Sequence, residues 1–112
     1  MINYNGRNFC CLSDPASGMA DNDTIFYCKQ SGLHITATYS GGNIVDGSLT
    51  AMADDAGNLN IRFQHINING QFLTGTCFSR PQIMTNGKIR LNGQWHWTCG
   101  DYSKGASLLE EI

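Results

Sequence analysis

Glycine- and asparagine-rich turns punctuate this chain. Ser31-Gly32, Gly41-Gly42-Asn43, Asp55-Ala56-Gly57-Asn58, Asn69-Gly70 and Asn86-Gly87 each separate two short runs of β-branched, aromatic or alternating residues. Short runs divided by such turns predict an antiparallel meander in which each strand pairs with the next.

Eight strands follow from this reading. The first lies near Arg7–Leu12 and the second near Thr24–Gln30, with a polar loop containing Pro15 and Gly18 between them. The third, Leu33–Ser40, alternates Leu33, Ile35, Ala37 and Tyr39 with His34, Thr36, Thr38 and Ser40. The fourth, Asn43–Ala53, is expected to place Val45, Leu49, Ala51 and Ala53 on one face. The fifth, Asn58–Asn67, sets Leu59, Ile61, Phe63 and His65 against Asn60, Arg62, Gln64 and Ile66. The sixth, Gln71–Arg80, should end at Pro81, which has no N–H to give a ladder. The seventh, Lys88–Cys99, reads as the longest, with a bulge expected at Asn92-Gly93. Trp95 and Trp97 share one of its faces. Gly105–Ile112 contains good helix formers. Its alternation also suits a strand, and a strand there pairs with the first and closes the sheet.

Closure is the economical solution. An open sheet of this size leaves two edges and a bare face, and no helix is on hand to cover it. The expected fold class is therefore all-β: an eight-stranded antiparallel up-and-down β-barrel over residues 1–112, with a lumen for side chains or one small ligand. A two-sheet sandwich is the alternative.

Composition narrows the functional classes. The net charge of −2 provides no basic excess to draw nucleic acid, so no nucleic-acid partner is expected. No apolar run approaches the length of a membrane span, so no membrane partner is expected either. Only 14% of residues are charged. Amides and hydroxyls must then cover much of the surface, or part of it lies in a homodimer interface. The five cysteines are odd in number and form no Cys-x-x-Cys pair, which points to reduced thiols in the cytoplasm.

Few residues carry obvious chemistry. His34, His65 and His96 are the only imidazoles, and they fall on different strands without metal-ligand spacing, so no metal is expected. His65 continues the Leu59-Ile61-Phe63 face and should meet the lumen. Arg62, Arg80 and Arg90 are the guanidinium donors able to hold an anionic group. Arg62 and His65 differ by an odd number of positions, so only one of them can face inward on a regular strand, and His65 is the choice. Tyr39, Trp95 and Trp97 form the aromatic group most like a binding wall. The expected ligand-binding set is Tyr39, His65, Arg90, Trp95 and Trp97, with no catalytic residue assigned. No nucleophile elbow, Walker loop or dinucleotide fingerprint is present, so no cofactor is expected.

Five segments bear a likeness to known sequences: Tyr39-Ser40-Gly41-Gly42, Gln64-His65-Ile66-Asn67, Gly75-Thr76-Cys77, Gly87-Lys88-Ile89-Arg90-Leu91 and Trp95-His96-Trp97-Thr98-Cys99-Gly100-Asp101. Together they resemble a family of small bacterial proteins often labelled N-acetylglutamate synthase, over nearly the whole chain. The resemblance implies an avidin-like barrel. The label implies an acetyltransferase, whose [Arg/Gln]-x-x-Gly-x-[Gly/Ala] loop at a helix N-terminus has no counterpart in these residues. The favoured reading is a small cytosolic barrel that binds a small molecule in or at the mouth of its lumen. The alternatives are an enzyme on the same barrel and a non-catalytic oligomeric module.

Overall fold

In the computed structural model, residues 2–12 and 20–112 are described. Asp14, Pro15 and Gly18 of the expected polar loop lie outside them. The strands are β1 (Asn8–Cys11), β2 (Ile25–Ser31), β3 (His34–Gly41), β4 (Ile44–Ala53), β5 (Leu59–Asn67), β6 (Phe72–Ile83), β7 (Ile89–Trp97) and β8 (Lys104–Glu111). Each pairs antiparallel with the next, and β1 pairs with β8 through Phe9↔Glu111, Cys10↔Glu110 and Cys11↔Leu109. The sheet is a closed up-and-down barrel, so it has no free edge. The last segment is a strand and supplies the closure.

Alternation gives the barrel its inside. On β3, Ile35, Ala37 and Tyr39 are buried while His34, Thr36 and Thr38 are exposed; on β7, Ile89, Leu91, Trp95 and Trp97 are buried between exposed Asn92, Gln94 and His96. Four expectations need correction. β6 rather than β7 is the longest strand, and it runs through Pro81 to Ile83. Pro81 pairs with Leu91, beyond the last β5–β6 pair at Leu59↔Ser79. The Met84 N–H donates to Lys88 across the β6–β7 turn. By alternation, the missing N–H of Pro81 faces the other side, where β5 has not yet begun. Asn92-Gly93 carries no bulge, because both ladders of β7 run through it without a shift. The bulge is on β4, between Ile44 and Asp46. It reverses the local parity, so Ile44 is buried and Val45, expected inside, is 57% exposed.

The two barrel ends are treated differently. At one end the N-terminal segment folds under the β4–β5 turn. Tyr4 is fully buried, its hydroxyl donates to the Gly57 carbonyl at 2.6 Å, and its N–H donates to Gln30 Oε1 at 2.7 Å. Burial is the main reason its phenol is pushed up to about 12. At the other end Asp21 ties the entry to β2 onto the β3–β4 turn. Its carboxylate accepts from the Asn43 and Asp23 N–H groups, each at 2.9 Å. Gly42, at φ +59°, stands where a Cβ would strike that carboxylate.

Candidate functional site: an aromatic-lined lumen

Large rings and glycines face each other across the ladders. Tyr39 (β3) and His65 (β5) both pair with Gly47 on β4; Phe63 (β5) and Trp97 (β7) both pair with Gly75 on β6; Trp95 (β7) pairs with Gly105 on β8. A Cβ on Gly47 would overlap the Tyr39 ring, and one on Gly105 would overlap Trp95. The glycines on the even strands are therefore what admits rings from the odd strands, in the sense that a strand glycine marks a close approach.

The rings form a continuous belt. Phe26 stacks on Tyr39 with centroids 4.6 Å apart, Tyr39 meets His65 edge-on at 5.7 Å, and His65 lies parallel to Phe63 at 6.1 Å. Trp97 meets both Phe63 and His65 edge-on and lies 5.4 Å from Trp95. These are the separations at which aromatic pairs add to their burial, by about 0.5–1.5 kcal/mol each.

Within the belt a polar pair is held in place. The Tyr39 hydroxyl lies 2.9 Å from His65 Nδ1 and 3.3 Å from the Gln64 carbonyl. With Nδ1 bare, the hydroxyl donates to the ring. With Nδ1 protonated, the ring donates to the hydroxyl, which turns its own proton to the Gln64 carbonyl. Burial pushes the Tyr39 phenol well above its ordinary range, so the hydroxyl stays neutral and available as a donor.

Beside the belt the lumen holds a cavity of about 80 Å³. Tyr39, His65, Phe26, Phe63 and Trp95 form much of its wall. A second polar group enters from the opposite strands: Cys77 and Ser79 on β6 and Ser107 on β8 gather over Gly93. Cys77 Sγ and Ser79 Oγ are 3.5 Å apart. Burial raises the Cys77 thiol, which Ser79 and Ser107 offset only in part. The thiol is thus protonated near neutrality and a weak nucleophile. No Lys, Arg, Asp or Glu side chain is among the described residues that line the cavity.

Of the expected set, Tyr39, His65, Trp95 and Trp97 are brought together inside the barrel. Tyr39, His65 and Trp95 line the cavity, and Trp97 backs it. Arg90 is not with them. It points outward from β7, where Nε and Nη2 donate to Glu110 Oε2 at 3.2 and 3.0 Å. Its parity is opposite to that of Ile89 and Leu91, and the carboxylate beside it on β8 holds it at the surface. Arg62 is also outside, as parity requires. Sequence reasoning missed Cys77, Ser79 and Ser107 as lining. The available signal was Gly93 within a strand, read as a bulge although it marks room for three neighbouring side chains.

His34 and His96 are exposed on the outer wall, apart from His65. Among the described residues no group of three His, Cys, Asp or Glu side chains is placed to hold a metal ion. No curated protein and no solved structure matches the chain. A family model described as avidin-like protein matches residues 2–112. That span takes in all eight strands and every residue of the lumen described above, and the chain belongs to this avidin-like family.

Proposed function

We propose that this protein binds a small, uncharged molecule inside its barrel. The observation that carries the reading is the cavity: an apolar, aromatic wall with two polar points, Tyr39–His65 and Cys77–Ser79–Ser107, and no Lys, Arg, Asp or Glu among the described lining residues. An ion entering such a space would lose its hydration without gaining a counter-charge. A neutral molecule with a hydrogen-bonding edge loses little and gains both. The anionic ligand that inward arginines would favour loses its basis, since Arg62 and Arg90 face out. The volume also limits size. It is about half that of an engineered cavity of roughly 150 Å³ that takes up benzene. A molecule of a few heavy atoms enters as the side chains stand, and a ring needs them to move.

The homodimer and the cytoplasmic location belong to the same proposal. Support for the dimer comes from Val45, Ile66, Ile68 and Phe72, which bring an apolar rim to one end of the wall, Phe72 being 78% exposed. Support for the compartment is the odd number of cysteines, five, with no Cys-x-x-Cys pair. Catalysis on this barrel has one observation in its favour, the Tyr39–His65 contact facing the cavity.

The test is a thermal-shift screen with neutral heterocycles, amides and short alcohols beside their charged analogues. Binding to the native state raises the melting temperature by mass action. Neutral compounds should raise it, and Tyr39→Phe and Ser79→Ala, which remove an oxygen and leave the packing, should reduce the shift. Shifts from charged compounds alone, or shifts unchanged in both variants, would refute the reading.

A further inference from the structure

The outside of the barrel separates its charges. Arg7 and Arg90 are paired with Glu111 and Glu110. Asp21, Asp23 and Asp101 lie at one barrel end, and Asp54 and Asp55 in a turn at the other. Between them the wall from β5 to β8 carries a single ladder row of outward residues, Arg62↔Thr76↔His96↔Lys104. The rows on either side hold Asn60, Phe78, Gln94 and Ala106, and Gln64, Thr74 and Thr98, so no acid interrupts the face. Neither Arg62 nor Lys104 has a carboxylate partner among the described residues. The Arg62 guanidinium is held by neutral acceptors only, Nη1 donating to Asn60 Oδ1 at 2.9 Å and to the Ile61 carbonyl at 3.1 Å. A net charge of −2 therefore conceals a local cationic face.

The face is also grooved. Arg62, His96, Lys104 and Phe78 border a hollow of about 570 Å³, with the small Ala106 beside them. Three strand spacings separate Arg62 from Lys104, about 14 Å between backbones, with Thr76 and His96 between them in the same row. Phe78 is 42% exposed and carries the Arg80 guanidinium 5.6 Å from its ring centre.

We propose that this outer groove binds a phosphate-bearing small molecule, the phosphoryl group lying between Arg62 and Lys104 and an attached ring or apolar group against Phe78. A guanidinium matches phosphate oxygens with paired donors, an ammonium adds a point charge, and the Thr76 hydroxyl and His96 ring are further polar groups in reach. The site is separate from the lumen and does not rest on the function proposed for it.

The experiment is a titration of isotope-labelled protein with inorganic phosphate and with a purine ribonucleoside monophosphate, followed by amide NMR. Both probes should shift the amides of Thr76, His96, Lys104 and Ala106, with the nucleoside monophosphate binding more tightly. Arg62→Gln and Lys104→Gln should each weaken binding at least about tenfold, the scale of a charge-assisted hydrogen bond. Lys88→Gln, on the β6–β7 turn, should not. Added salt should weaken binding by both probes. The variant residues are exposed, and the same spectra report whether the fold is kept. Absence of shifts on this face with either probe, or shifts unchanged in both variants, would overturn the proposal. So would binding confined to a single-stranded oligonucleotide.

Discussion

At the scale of single residues, the lumen rests on positions with no side chain at all. Gly47 lies between Tyr39 and His65, and the space where its Cβ would be is filled by the Tyr39 ring. Gly47→Ala should therefore cost about 1–3 kcal/mol by overpacking, measured by denaturant unfolding. It should also weaken ligand binding by displacing Tyr39 from His65. A change within ~0.5 kcal/mol would mean that the ring has room to move. The inward aromatic residues were legible beforehand, because period-two alternation puts Tyr39, Trp95 and Trp97 on the faces that bury. The glycines opposite them were not. Which residue stands across from which depends on the register between strands, and register is a property of the assembled sheet.

At the scale of elements, β4 shows how one inserted residue redirects a face. The bulge between Ile44 and Asp46 turns Ile44 in and Val45 out. Val45→Lys should then change stability by no more than ~0.5 kcal/mol, as an ordinary surface substitution. Ile44→Ala should cost about 2–5 kcal/mol, as the truncation of a core side chain does. Equilibrium unfolding of the two variants checks the pair, and the reverse order would put the bulge elsewhere. Strand existence and order were readable from the turn signals. Bulge position was not, since neither Gly47 nor Gly93 lies in it, and the extra residue on β4 shows only in how β4 pairs with its neighbours. Pro81 misled for a related reason: it is tolerated within β6 because of where β5 begins, which the local sequence does not record.

At the scale of the whole molecule, the buried acids decide how the barrel responds to alkali. Burial raises Cys28 to about 11 and Tyr4 to about 12, and moves Tyr39 upward as well. Each group has a folded value above its unfolded one, so in the raised interval the native state binds more protons than the unfolded state. Stability from these groups is complete below about pH 9, where the unfolded cysteine begins to titrate, and is lost as pH rises towards about 12. Denaturant midpoints should fall across that window. The share of tyrosinate absorbance due to Tyr4 and Tyr39 should appear together with loss of the barrel's circular dichroism. Ionisation of all four tyrosines ahead of unfolding would contradict this. The sequence by itself determined the all-β class, the strand order and the inward direction of His65, because turns and alternation are encoded in neighbouring residues. Only the tertiary structure decided that Arg90 lies outside against Glu110, that Cys77, Ser79 and Ser107 meet over Gly93, and that Arg62, His96 and Lys104 form one row. Each of these depends on residues distant in the chain being set side by side by the registers of a closed sheet.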